Sequence, residues 1–173
     1  FDGDPLTIFE PDPLVREAAE LLTSRSLVMD MGIGRFQNSL FLAEQGNTVH
    51  GIEKDFGLAN DALKLRQFVG GWALNCHVEA GDITEVSLGS EAYNAVVATL
   101  VLQELTPEAQ ESVLETMRRI TKPGGLNIIR AYVAEEREQI ALPQLSLYEP
   151  GELERLYFND GWLIEKAKSS DES

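Results

Sequence analysis

The sequence predicts an α/β fold of the doubly wound kind, a mostly parallel sheet between two layers of helices, on three observations. Short apolar runs alternate with stretches of helical periodicity along nearly the whole chain, the pattern of strands joined by crossover helices. The first run ends on Asp30 and is followed at once by Gly32 and Gly34, a turn suited to a strand-to-helix junction. Later runs also end on polar groups, at Glu53, at Asp82 and at Thr99 to Glu104. The 173 residues, 43% apolar and 25% charged, fit one domain of ordinary size and composition. The chain is therefore read as one unit, with an N-terminal arm over 1–12, a core over 13–133 and a closing part over 134–173.

Each element has its own local reason. From Pro13 the positions Leu14, Val15, Ala18, Leu21 and Leu22 recur at helical spacing, with Asp12 placed to cap and Pro13 suited to the first turn. Ser26 to Asp30 is an apolar run stopped by an acid, the first strand. Phe36 to Gln45 is the first crossover helix, stopped by Gly46. Thr48 to Ile52 is the second strand, ending in Glu53; Asp55 caps a helix through Ala59, Leu63 and Phe68 that breaks at Gly70-Gly71. Leu74 to Val78 is the third strand, ending near Asp82, and Tyr93 to Leu100 the fourth. Thr106 and Pro107 open a helix whose buried stripe is Val113, Leu114, Met117 and Ile120, and Lys122-Pro123-Gly124-Gly125 ends it. Leu126 to Val133 is the fifth strand. Ala134 to Leu147 has no period and reads as a lid. Glu149 to Phe158 is a short helix, Trp162 to Lys166 a last strand, and 168–173 a polar end.

Charge narrows the function classes. Against 29 Asp and Glu stand 14 Lys and Arg, a net charge of -15 that repels phosphate backbones and anionic lipid alike. No nucleic-acid or membrane partner is expected, while the acidic surface leaves a homodimer or a protein partner open. One cysteine, Cys76, cannot form an internal disulfide, and with two histidines it makes too small a set for zinc, so no metal is expected. Phe1 reads as a trimmed start, and no apolar run suggests a signal peptide or a membrane span. Cytoplasmic residence is the expectation.

In a doubly wound sheet the ligand crevice lies beyond the carboxyl ends of the strands, where strand order reverses. Four strand ends here carry the polar residues that such a crevice needs. A Gly-x-Gly turn admits a ligand close to the backbone, and the following helix offers free N–H groups. Glu53, about twenty residues on, stands where an acid accepts hydrogen bonds from two ribose hydroxyls, which points to an adenosine-containing ligand. Alone, each feature has a plainer reading: two glycines in a turn, a solvated acid at an open strand end, a turn residue at Asp82. The functional reading rests on their conjunction at successive strand ends.

Val28-Met29-Asp30-Met31-Gly32-Ile33-Gly34 resembles the glycine motif of the class I S-adenosylmethionine-dependent methyltransferases. The resemblance implies that Asp30, Gly32 and Gly34 meet the cofactor and that Glu53 holds the adenosine ribose. It also implies that Asp82 accepts from the adenine amine, that Ile83 lends its N–H to the ring, and that Ala98 and Thr99 line the methionine part. It continues through Tyr93 to Thr99 and Thr121 to Gly125, covering about Pro13 to Ala167. Gly34 to Ala43, then Gly46, Pro123 to Ile129 and Gly151-Glu152-Leu153 look like the tellurite-resistance methyltransferases and their relatives. Phe36 stands where that motif has its third glycine and is expected to crowd the cofactor or alter the turn. No counterpart of the family's seventh, antiparallel strand, or of the His- and Arg-bearing segment before it, is expected within these residues.

The implied reaction is methyl transfer from S-adenosylmethionine to a small-molecule acceptor by in-line displacement, leaving S-adenosylhomocysteine. The protein then has mainly to hold donor and acceptor collinear and exclude water. Gln103 and Glu104 are placed beside the transferred methyl; a hydroxyl or amine acceptor would make Glu104 the nearest base, and a soft anion or thiol-like centre would need none. Two other readings stay open. A nicotinamide-dependent oxidoreductase shares the first strand, the glycines and Glu53, although Gly-x-Gly-x-x-Gly would need glycine where Gln37 stands. A non-catalytic binding module is favoured by Phe36 and by the lack of that seventh strand within these residues. Cys76 reads as an inert buried thiol, His50 and His77 as sheet histidines, and Trp72, Trp162, Phe158 and Tyr157 as packing. The run Glu135-Glu136-Arg137-Glu138 reads as a solvated face.

Overall fold

A computed structural model describes residues 10–23, 25–134 and 144–167. In chain order the elements are α1 (Pro13–Ala19), β1 (Leu27–Met31), α2 (Gln37–Glu44), β2 (Thr48–Glu53), α3 (Phe56–Val69), β3 (Cys76–Ala80), β4 (Tyr93–Thr99), α4 (Pro107–Ile120), β5 (Thr121–Arg130) and α5 (Glu152–Asn159). All five strands are parallel, in the order β3-β2-β1-β4-β5. The chain moves outward from β1 through β3 and then crosses back to β4. The strand order reverses between β1 and β4, the place where ligands bind in open sheets of this kind.

Helices cover both faces, which is why the strands read as continuous apolar runs. On one face Val15 of α1, Leu40 of α2 and Ala62 of α3 pack with Val28, Val49, Ala95 and Val97. On the other, Leu114, Met117 and Ile120 of α4 and Tyr157 of α5 pack with Met29, Met31, Val96 and Ala98. The helix starts follow local chemistry: Asp12 accepts from Leu14 N (2.9 Å), Asp55 from Leu58 N (3.0 Å) and Thr106 from Ala109 N (3.3 Å). No helix among the described residues is long and apolar enough to cross a membrane.

Several boundaries differ from expectation. α1 stops at Ala19, and β3 begins at Cys76 because Gly71–Asn75 form a 3-10 turn. β5 begins at Thr121, so Lys122 to Gly125 lie inside the strand. Tyr93 pairs with Thr121 and Ala95 with Leu126, which leaves the intervening residues of β5 bulged out. Gly125 is required there, since a Cβ would come within 2.7 Å of the Asn94 carbonyl oxygen.

The expected last strand, Trp162 to Lys166, is not a strand. Trp162 N donates back to the Tyr157 carbonyl (3.1 Å), its ring lies edge-on to Tyr157, and Lys166 pairs with Glu17 of α1. These ties hold the segment away from β5 and leave a groove of about 1530 Å³ lined by Leu14, Leu126, Ile128, Leu153 and Leu163. Leu100 N donates to the Arg130 carbonyl (2.7 Å), so the backbone of Arg130 turns toward β4 and that of Ile129 toward the groove. Among the described residues nothing pairs with that outer edge.

The arm over 1–9, the tail over 168–173, and residues 135–143 of the expected lid, with the run from Glu135 to Glu138, lie outside the described residues. The two feet of that segment are tied together: Ala134 N donates to the Tyr148 carbonyl (2.8 Å) and Ser146 N to the Gln103 carbonyl (2.9 Å).

Candidate functional site

The glycine turn after β1 is built over the end of β2. Gly32 N and Ile33 N both donate to the Ile52 carbonyl, at 2.9 and 3.2 Å. Gly32 has φ +74°, and a Cβ there would meet Val101 at 2.6 Å, so one side of the turn is closed. Gly34 has φ +52° and no atom within 4 Å of the place a Cβ would take, so the other side is open. That open side leaves the backbone at Gly34 accessible to a close approach.

Phe36 corrects an expectation. It adopts the left-handed backbone a third glycine would take (φ 71°), yet its ring is 1% exposed and packs in the α2-side core. The backbone penalty of about 1–2 kcal/mol is offset by a burial term of roughly 1.5–3 kcal/mol. The ring points into the core rather than into the open side of the turn, so the turn is kept.

Two polar residues on the first turn of α2 complete the inner wall. Asn38 Nδ2 donates to Thr99 Oγ1 (2.9 Å), and its Oδ1 accepts from Asp12 N (2.8 Å). Ser39 Oγ donates to Asp30 Oδ2 (2.6 Å). Asp30 Oδ1 is closed off from solvent and has no partner. Burial pushes the Asp30 carboxyl up to about 6 against the Ser39 hydrogen bond, with the charge of Glu53 adding to the rise.

Glu53 is not the solvated acid its place at a strand end suggests, for it is 8% exposed. Its Oε2 accepts from Gly34 N (2.8 Å) and its Oε1 from Asp55 N (2.9 Å). One carboxylate thus ties the glycine turn to the start of α3, and each oxygen keeps a second lone pair. Asp82 is also engaged: Oδ2 meets Lys54 Nζ at 2.7 Å, and Oδ1 accepts from Thr84 N (3.0 Å) and Thr84 Oγ1 (2.8 Å). The Lys54 and Thr84 hydrogen bonds hold its carboxyl down at about 2. The N–H of the buried Ile83 is taken by no described residue.

The remaining expected residues separate. Ala98 lies fully in the α4-side core, so its methyl lines no open space. Thr99 is bound by Asn38. Gln103, in the 3-10 turn Leu102–Glu104, is buried with its Oε1 unpartnered, whereas Glu104 is exposed and lies near Lys54, whose affinity for its proton is raised chiefly by the hydrogen bond to Asp82. Asn38, Ser39, Lys54 and Thr84 were not anticipated; adjacent buried polar residues on the first turn of α2 were the available signal. Cys76 donates to the Ser39 carbonyl (3.3 Å), and burial pushes its thiol up to about 12, so it is an inert core group. His50 Nδ1 lies 3.1 Å from Tyr93 OH, and no cluster of three or more His, Cys, Asp or Glu able to hold a metal gathers among the described residues.

Comparison with known proteins bears on the family and the fold. The family model described as tellurite resistance protein TehB matches residues 9–170. The probable S-adenosyl-L-methionine-dependent methyltransferase TehB of Haemophilus influenzae is 28% identical over 143 residues, 83% of this chain and 48% of that protein. The chain therefore spans about half the length of that relative. A S-adenosylmethionine-dependent methyltransferase from Methanosarcina mazei superposes with a TM-score of 0.72 at 15% identity, covering 87% of this chain and 84% of that one. Phosphoethanolamine N-methyltransferase 1 of Haemonchus contortus, solved with phosphoethanolamine and S-adenosylhomocysteine, gives 0.71 at 13% identity, covering 83% of this chain and 33% of that one. These structural likenesses show the class I methyltransferase fold.

Proposed function

The chain belongs to the tellurite resistance protein TehB family, and from that membership we propose that it transfers a methyl group from S-adenosylmethionine to a small-molecule acceptor. The observation that carries the reading is the pairing of an open backbone at Gly34 with the buried carboxylate of Glu53, 2.8 Å from the Gly34 nitrogen. A buried, oriented acid beside an exposed turn suits a ribose diol, and the spare lone pair on each Glu53 oxygen can accept one hydroxyl. Asp82 would take the adenine amine on an oxygen that it now shares with Lys54, and the free Ile83 N–H would serve a ring nitrogen. The unpartnered Asp30 Oδ1 offers a buried negative charge suited to a cationic cofactor. Gly32 closes the inner side of the turn, and Thr99, steadied by Asn38, with the backbone of Ala98, bounds the far end.

When bound, the cofactor supplies an electrophilic methyl carbon on a sulfonium. The chain has to align the acceptor and exclude water. Gln103, buried with a free carbonyl oxygen, would orient an acceptor through a hydrogen bond, and Glu104 at the surface would take a proton from a hydroxyl or amine. Cytoplasmic residence is part of the same reading.

Calorimetric titration with S-adenosylmethionine, S-adenosylhomocysteine and NAD tests this. S-adenosylhomocysteine at about a hundred times its dissociation constant is expected to stabilise the fold by ~2.7 kcal/mol, a rise of roughly 5–11 °C in melting temperature, and NAD to do nothing. Equal shifts with both ligands, or none with either, would overturn the proposal. Binding without turnover toward any acceptor would instead favour a non-catalytic module.

A smaller effect isolates the backbone at Gly34. Gly34→Ala places a methyl group in the open side of the turn at a positive φ. It is expected to cost the fold about 1 kcal/mol, while affinity for S-adenosylhomocysteine falls about tenfold. An unchanged affinity would mean that the ligand does not approach this backbone.

A further inference from the structure

Large apolar side chains stand exposed on α3 and the 3-10 turn after it, set among the exposed Asn60, Asp61, Lys64 and Gln67. Only Ala59 and Ala62 of α3 are buried, while Phe56 is 77% exposed, Phe68 88%, and Trp72 and Leu74 nearly half. Over 56–75 there are two bases, Lys64 and Arg66, against one acid, Asp61, in a chain of net charge -15. Exposed aromatic side chains on a near-neutral stretch of so acidic a molecule suit a contact surface.

That stretch leads through Trp72 and Leu74 directly into β3, an end strand of the sheet. Gly81 N donates to the Glu53 carbonyl (2.9 Å), so by alternation the amides of His77 and Glu79 turn toward β2 and those of Val78 and Ala80 turn outward. On that outer edge Cys76 N donates to the Ala73 carbonyl, and nothing among the described residues takes the N–H of Val78 or of Ala80. Val78 is the middle residue of Cys76–Ala80. A two-fold axis at Val78 would let two β3 strands run antiparallel, with Val78 exchanging both backbone hydrogen bonds with its counterpart. Ala80 N–H would meet the Cys76 carbonyl on each side. His77 and Glu79 are both exposed and share the face away from Cys76 and Val78. The same register puts His77 of each copy opposite Glu79 of the other, and moving the axis one residue to Glu79 would oppose two acids and turn bonded amides to the edge.

We infer that a second copy of this chain docks on β3, joining the two sheets edge to edge, with the exposed apolar side chains of α3 and the 3-10 turn at the rim of the contact. The edge is self-complementary in hydrogen-bond parity, and it sets a histidine rather than a second acid opposite each Glu79, which an isologous pair requires and another protein would have to match by chance. The acids that give the chain its charge lie mostly elsewhere, and screening over about 8 Å at physiological salt limits their opposition.

Sedimentation of the full chain over the micromolar range tests this, with a mass of twice 19.1 kDa expected. His77→Glu sets four acids along the joint and is expected to raise the dimer dissociation constant at least about tenfold. The exchanged pair H77E/E79H restores the complementarity and should return the constant to within a few fold of the parent. Val78→Pro removes the central outward N–H and should leave a monomer with an intact melting transition. Should that variant fail to fold, the exchange at His77 and Glu79 decides. A parent that stays at 19.1 kDa throughout, a dimer indifferent to these changes, or an exchanged pair that fails to recover overturns the inference.

Discussion

Glu53→Ala is expected to weaken S-adenosylhomocysteine binding by on the order of a hundredfold and to cost the fold about 2–4 kcal/mol as well. The two losses have separate causes. Two ribose hydroxyls would lose a charged acceptor, and hydrogen bonds to charged groups are worth roughly 1.5–3 kcal/mol each before they prove less than additive. Independently, Gly34 N and Asp55 N lose their acceptor, so the turn after β1 is no longer tied to α3. Glu53→Gln is the diagnostic companion. One amide oxygen can replace one carboxylate oxygen, but the NH₂ group then faces a backbone N–H, so an intermediate stability and a binding loss close to that of alanine are expected. Denaturant unfolding and titration of both variants read the two quantities apart. Binding as tight as the parent's in Glu53→Ala would place the ribose elsewhere.

Asp30→Asn is expected to make the protein more stable at neutral pH and a poorer ligand binder. The Asp30 carboxyl is raised from 3.8 to about 6, chiefly by burial. A group raised in the folded state favours folding fully below its unfolded value, and that contribution is lost as pH climbs through its folded value. The parent should therefore lose stability between about pH 4 and pH 7, by up to ~3 kcal/mol at 1.4 kcal/mol per unit. The amide of the variant would bring no charge to bury, and its carbonyl oxygen could still accept from Ser39 Oγ. The variant should match the parent near pH 4 and exceed it by about 2–3 kcal/mol near pH 8, with cofactor affinity down at least about tenfold. Denaturation midpoints at the two pH values decide: a difference independent of pH would show that Asp30 is not the group being strained.

These two residues also mark how far local reading reaches. That Asp30 and Glu53 lie at the ends of strands, Asp30 one residue before the last of β1, was legible from apolar runs stopped by acids, and Asp12, Asp55 and Thr106 were legible as helix caps because capping is settled within three residues. The order of helices and strands followed from the same short-range patterns. What Glu53 holds was not legible, since it depends on the turn at Gly34 folding back over β2. The Lys54 bridge to Asp82 likewise joins two strand ends, and the Asn38 bond to Thr99 joins the start of α2 to the end of β4. Pro123-Gly124-Gly125 looked like the end of a helix and lies inside β5, because pairing with β4 resumes across a bulge that only the neighbour defines. Trp162 to Lys166 carries a strand's composition, but composition does not say whether a sheet edge lies within reach.

The strand order sets a timetable for the nascent chain. β1 is made first among the strands yet lies in the middle of the sheet, and the partner on its far side is β4, 67 residues later, where Asn94 Oδ1 accepts from Leu27 N. At a synthesis rate of about 5–20 residues per second, that flank waits ~3–13 s for its partner. During that interval Val28 and Met29, which end with almost no exposure, lack part of their cover on both faces of the growing sheet. Neighbouring ribosomes on one message would present one another with the same unfinished flank, so yield should depend on translation rate and on chaperone supply more steeply than the finished fold would suggest.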